Sequence, residues 1–83
     1  MMDQKEHIVA NLIGMVQKTL LKKNFEIAPD DDFQKIGLDS MGIIEIATKL
    51  EEEYNIQFDD DDMKQIKTLA ATADLLLRKI AQS

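Results

Sequence analysis

Apolar residues recur at helical spacing along almost the whole chain. Ile8, Leu12, Val16 and Leu20 step by four, with Val9, Ile13 and Thr19 beside them. This spacing predicts one amphipathic helix from about Asp3 to Lys23, stopped near Asn24. Gly14 lies in its middle at a cost of about 1 kcal/mol relative to alanine, and so predicts a close helix crossing there. A second helix is predicted from about Ser40 to Tyr54, with Ile43, Ile46, Ala47, Leu50 and Tyr54 inward. Another runs from about Leu69 to Ala81, with Thr68 as its N-cap and Leu69, Thr72, Ala73, Leu76 and Ile80 inward. Between these two, Asp60 to Ile66 makes a short helix or a single turn. Nothing alternates with a period of two over a useful length. The expected fold is all-α: a four-helix bundle with a long loop between its first and second helices and a short third helix.

That loop, from Asn24 to Asp39, is near the length at which structureless connections become uncommon and tend to be functional. Phe25, Ile27, Phe33, Ile36 and Leu38 punctuate it and are expected to pin it onto the helices. Pro29 and the run Asp30-Asp31-Asp32 are expected to keep its outer side in water.

Eighty-three residues make one small domain, 1–83, with a single core and no space for a deep catalytic cleft. Apolar residues at 45% and charged residues at 31% argue against disorder. No apolar run approaches the roughly 20 residues of a membrane span. The opening Met1-Met2-Asp3-Gln4-Lys5-Glu6 lacks a basic region followed by an apolar stretch. The expected compartment is the cytoplasm. With no cysteine, the chain has no disulfide framework, no Cys-ligated metal and no cysteine nucleophile. The single histidine, His7, reads as a solvated residue in the first turns of a helix, and no metal site is expected. A net charge of −6 and the lack of tryptophan exclude the common modes of nucleic-acid binding.

The charge is concentrated. Residues 26–62 carry thirteen acids against Lys35 and Lys49, between ends of net +2 and +3. An acidic middle suits either a solubility face or a surface that meets basic partners.

The loop ends in Gly37-Leu38-Asp39-Ser40 at the start of the second helix. Gly37 permits a tight or positive-φ backbone. Asp39 is a good N-cap and places a carboxylate beside the serine. Ser40 falls on the first helical residue, where free N–H groups and the helix dipole favour a phosphate esterified at its hydroxyl. Beyond the inward stripe of this helix, Met41, Ile44 and Thr48 form a second one beginning beside Ser40. Glu45, Glu51, Glu52 and Glu53 rim it. A second stripe reads as a partner-docking face or as packing under the long loop.

The run Phe33-Gln34-Lys35-Ile36-Gly37-Leu38-Asp39-Ser40-Met41, followed by Glu45, Leu50, Glu51-Glu52-Glu53-Tyr54 and Ile56, resembles the acyl and peptidyl carrier proteins. The resemblance extends over essentially the whole chain, including the closing helix. It implies a bundle of the acyl-carrier type and a monomer that is a carrier, not an enzyme. It implies a 4′-phosphopantetheine arm attached to Ser40 by a phosphopantetheinyl transferase, with Gly37 and Leu38 shaping the site. Asp39 would help position magnesium during that modification. The second helix would be the recognition helix, offering Met41, Ile44, Glu45, Thr48, Glu51 and Glu52 to acyl- or aminoacyl-loading and condensing enzymes with basic surfaces. An acyl chain would shelter between Ile43, Ile46, Ala47, Ile66 and Ala73.

Two departures bear on cargo. Fatty-acid carriers usually have an acid two residues after the serine, where this chain has Gly42. Phe33 lies three residues before Ile36, a spacing more like that of polyketide and peptidyl carriers, and Ser-Met-Gly is similar to D-alanyl carriers. The expected function is an acyl carrier of fatty-acid, lipid or polyketide-type synthesis, with an aminoacyl or peptidyl carrier as the alternative. A helical adaptor without a prosthetic group would explain the docking stripe but not the Gly-x-Asp-Ser start. A calcium-binding module fails on spacing. Counted from Asp30 or Asp59, the sixth position is Lys35 or Lys64 and the twelfth Met41 or Ala70, where an EF-hand needs Gly and Glu.

Overall fold

A computed structural model describes residues 3–21 and 26–82. It contains α1 (Gln4–Leu20), α2 (Ser40–Tyr54), α3 (Asp60–Met63) and α4 (Leu69–Gln82), with no strand among the described residues. The four-helix expectation holds, including the short third member and the long first connection.

Helix α1 starts where Asp3, in extended backbone, accepts the Glu6 N–H at 2.8 Å. It ends earlier than the periodicity suggests. Leu21 turns into the left-handed region (φ 58°) and its N–H returns to the carbonyls of Gln17 and Lys18, closing the helix before Lys23. The expected stop at Asn24 and the loop anchor Phe25 lie outside the described residues. Ile8, Leu12 and Val16 form the buried stripe, which packs mainly on α4 and also on α2.

The close helix crossing is at Gly42, not Gly14. A Cβ at Gly14 would meet nothing within 4 Å, and the residue is exposed. A Cβ at Gly42 would come within 2.9 Å of Leu38 Cδ2 and 3.5 Å of Thr19 Cγ2. Leu38 is buried, so its side chain would have to shift within the core to make room. Gly14→Ala is therefore expected to stabilise the fold by about 0.5–1 kcal/mol through helix propensity alone. Gly42→Ala gains the same propensity but overpacks the crossing at about 1–3 kcal/mol, for a net loss of about 1 kcal/mol. Urea melts of the two variants should move in opposite directions, and shifts of the same sign would refute this placement of the crossing.

Helix α2 closes at Asn55 in the left-handed region (φ 55°), whose N–H bonds the Glu51 carbonyl. The four-residue α3 exists because of its caps. Asp59 accepts the Asp62 N–H at 2.8 Å, and Asp62 accepts the Asp59 N–H at 3.1 Å, a reciprocal capping box. Asp62 is nearly buried and pairs with Lys79 of α4 at 2.5 Å. The hydrogen bond from Lys79 holds the Asp62 carboxyl below its ordinary range against the opposing effect of burial, and the same bond raises Lys79. The pair fastens α3 to the end of α4.

At the start of α4, Thr68 Oγ1 accepts the Ala71 N–H at 3.0 Å, the cap expected of it. Leu69, Thr72, Ala73 and Leu76 are buried as expected, Leu75 joins them, and Ile80 is half-buried. The helix runs to Gln82, one residue beyond the expected Ala81.

The long loop is part of the core. Ile27, Phe33 and Leu38 are buried and Ile36 is half-buried against them. Two backbone bonds tie the loop to the segment around α4: Phe33 N–H to the Lys67 carbonyl at 2.7 Å, and Ala70 N–H to the Pro29 carbonyl at 2.9 Å. Part of the acidic run in the loop builds turns. Asp31 accepts the Ala28 N–H at 2.9 Å and Asp32 the Gln34 N–H at 2.8 Å. Fully buried side chains such as Leu12, Phe33, Leu50 and Leu76 each contribute about 1.5–3 kcal/mol of apolar burial. No helix among the described residues is long and apolar enough to cross a membrane.

Candidate functional site

The start of α2 is built by four consecutive residues. Gly37 adopts φ 110°, which L side chains rarely adopt, and its N–H bonds the Gln34 carbonyl at 3.3 Å. Leu38 then plunges into the core, its N–H held by the Phe33 carbonyl at 2.9 Å. Asp39, in extended backbone, accepts the Gly42 N–H on Oδ1 at 2.8 Å. Ser40 follows as the first helical residue and is exposed. The buried leucine and the cap fix the backbone on one side of the serine and leave the hydroxyl in water on the other.

The N–H groups of Ser40 and Met41 precede the first intrahelical bonds and lie at the positive end of the helix dipole. The first turn of α2 contains no acid. A phosphate on Ser40 Oγ would face one carboxylate, that of Asp39, which is already engaged as the cap. These residues fit a phosphodiester at this oxygen.

Along α2 the second stripe is real and outward. Met41 is 76% exposed and Ile44 is 56% exposed, which excludes the alternative that they pack under the long loop. Thr48 is exposed too, and its hydroxyl donates to the Ile44 carbonyl at 2.9 Å, so what remains of it at the surface is apolar. The acidic rim divides. Glu45 and Glu52 are exposed. Glu51 is half-buried and accepts the Phe58 N–H at 2.8 Å, fastening the turn after α2. Glu53 accepts from Asn11 Nδ2 at 3.0 Å, which joins α1 to α2. Glu51 and Glu53 are therefore already used inside the molecule, a distinction that sequence spacing does not show.

Five residues were expected to line a cargo pocket, and the structure separates them. Ile43 and Ile66 line a groove of about 270 Å³ together with Phe33 and Met63. Ile46, Ala47 and Ala73 lie in the closed core behind it and do not reach the groove. Ile43 follows Ser40 by three residues, which puts both on one side of the helix. The larger hollow, about 780 Å³, is shallow and lies at the other end of α2 around Thr48, Asn55 and Phe58. Even its nearest residue, Thr48, is about 12 Å along the helix axis from Ser40 at 1.5 Å per residue.

Among the described residues, no three carboxylate or histidine side chains are gathered where they could share a metal ion. Sequence reasoning missed the lining of the smaller groove, Gln34, Met63, Lys64 and Lys67. The only available signal was the pairing of Met63 with Ile66 at helical spacing, flanked by lysines.

Residues 10–76, which include the whole Gly37–Ser40 turn, match the family model described as the phosphopantetheine attachment site. The chain is 35% identical over 60 residues to acyl carrier protein 1, chloroplastic, of Spinacia oleracea, covering 72% of this chain and 44% of that one. It is 26% identical over 74 residues to an acyl carrier protein of Coprothermobacter proteolyticus, covering 88% of this chain and 90% of the relative. The chain spans about half the length of the chloroplast relatives it matches. A crystal structure of an acyl carrier protein from Thermotoga maritima superposes with a TM-score of 0.81 at 17% identity, covering 94% of this chain and 92% of the other. That likeness shows the same fold.

Proposed function

The chain belongs to the phosphopantetheine attachment site family, and from this we propose that it is an acyl carrier with its arm on Ser40, not an enzyme. The arm, when bound, supplies a thiol on which an acyl group is held as a thioester for partner enzymes of fatty-acid, lipid or polyketide-type synthesis. The observation that carries the assignment to Ser40 is its placement. It is an exposed hydroxyl on the first residue of α2, with a positive-φ glycine and a buried leucine behind it and a capping aspartate beside it.

In this reading each residue has a separable task. Gly37 and Leu38 hold the turn. Asp39 caps α2 and places a carboxylate where magnesium would stand during modification. Met41, Ile44 and Thr48, flanked by Glu45 and Glu52, offer an apolar strip with acidic edges to a phosphopantetheinyl transferase and to loading and condensing enzymes with basic surfaces. Glu51 stays with the fold. The carrier works as a monomer, and the proposed compartment is the cytoplasm.

The test is intact mass. Incubation with coenzyme A, magnesium and a broad-specificity phosphopantetheinyl transferase should add one phosphopantetheine group, and peptide mapping should place it on Ser40. No gain, or a group mapped elsewhere, would overturn the reading.

A further inference from the structure

The smaller groove differs in charge from the surface around it. Its floor is apolar, made by Phe33, Ile43, Met63 and Ile66, and its edge carries Lys64 and Lys67 against Asp32. Asp32 is occupied in its turn, accepting the Gln34 N–H. Lys64 comes only within 4.0 Å of Asp61, with both side chains largely in water, a contact worth little. Lys67 is exposed and has no ion pair within 4 Å among the described residues. Lys67, with no ion pair among the described residues, and Lys64, only weakly paired, thus edge an apolar trough next to a stretch, residues 26–62, whose net charge is −11. A docking face for basic partners has no use for them. Neutral acyl chains do not need them, and an aminoacyl group, with its ammonium, would be repelled.

Resting on the carrier reading above, we propose that the groove receives acyl cargo ending in a carboxylate, the half-thioester of a dicarboxylic acid. The methylenes lie on Phe33, Ile43, Met63 and Ile66, and the terminal carboxylate meets Lys64 and Lys67. The groove, about 270 Å³, is small and open on one side, so short and medium chains are the natural probes.

The experiment compares three loaded forms, made from the unmodified protein by a phosphopantetheinyl transferase that moves the octanoyl-, 7-carboxyheptanoyl- or alanyl-phosphopantetheine group of the corresponding coenzyme A thioester onto the Ser40 hydroxyl, with adenosine 3′,5′-bisphosphate leaving. Amide spectra should show shifts at Ile43, Met63 and Ile66 with both eight-carbon groups. Lys64 and Lys67 should shift with the carboxylated one only, and neither set with alanyl. Cleavage of the thioester by hydroxylamine should be about threefold slower for 7-carboxyheptanoyl than for octanoyl, the size expected of exposed charge pairs. That difference should shrink in 0.5 M salt, where the screening length falls to a few ångströms. In the Lys64→Glu/Lys67→Glu protein the order should reverse, while octanoyl behaves as in the parent. The proposal is overturned by lysine amides that do not respond to the carboxylate, or by an order that the double variant leaves unchanged. Failure to accept any arm would overturn the carrier reading itself, which mass spectrometry reads before any cargo is compared.

Discussion

Ser40→Ala, treated with coenzyme A, magnesium and a phosphopantetheinyl transferase, is expected to keep its unmodified mass entirely. Its stability should stay within about 0.5 kcal/mol of the parent, because the serine is exposed and alanine is the better helix former. The neighbouring residue allows a finer separation. Asp39 serves the fold through one oxygen, which accepts the Gly42 N–H. Asp39→Asn keeps an acceptor of the same shape and removes only the charge, so α2 should remain capped. Asp39→Ala removes both and should cost about 1 kcal/mol in a urea melt. Both should be modified much more slowly than the parent if the carboxylate positions the metal. An Asp39→Asn protein modified at the parental rate would show that Asp39 is a cap and nothing more. Mass spectrometry over a time course separates these outcomes without reference to any cargo.

The helices and the Gly37–Ser40 turn were legible because both are local. A four-residue step of Ile8, Leu12 and Val16 needs no tertiary information to imply a buried stripe, and the structure buries all three. Gly-x-Asp-Ser at a helix start combines a backbone requirement and a cap in adjacent residues. What remained hidden depends on which element lies opposite. Gly14 and Gly42 look alike in a helical pattern, yet only Gly42 has Leu38 and Thr19 against it. The four glutamates of α2 look alike too, but Glu51 and Glu53 already hold bonds to Phe58 and Asn11, which arrive from outside the helix. The runs of aspartate read as solvated charge, whereas Asp31, Asp32, Asp59 and Asp62 each accept a backbone N–H. Their partners lie two or three residues away, so this was a local signal that counting charges overlooks. The lysines at the groove are far from Ile43 in sequence and line the same space only in the fold, where a Phe33–Lys67 backbone bond holds the loop to the segment before α4.

Phe33, at that bond, is a residue whose side chain should be strongly felt in stability. Its side chain is fully buried although it sits in a loop, and its N–H and carbonyl are both engaged, with Lys67 at 2.7 Å and Leu38 at 2.9 Å. Phe33→Ala leaves those backbone groups in place and removes the ring, at an expected cost of about 3–5 kcal/mol for a phenylalanine emptied from a core. A domain of this size has a total of roughly 4–12 kcal/mol to lose, so much of its stability would go. The urea midpoint should fall by about a quarter or more with little change in slope. Phe33→Leu, which keeps most of the volume, should lose about 1.5 kcal/mol or less. Gln34→Ala, exposed and next in sequence, should be close to neutral. The ring also walls the groove, so its removal should enlarge the space beside Ile43 and Ile66. Amide shifts at those two residues in Phe33→Ala, recorded well below the unfolding transition, report that change separately from global stability. A Phe33→Ala protein as stable as Gln34→Ala would mean that the long loop is held by its backbone bonds alone, and that the apolar residues along it do not anchor the turn presenting Ser40.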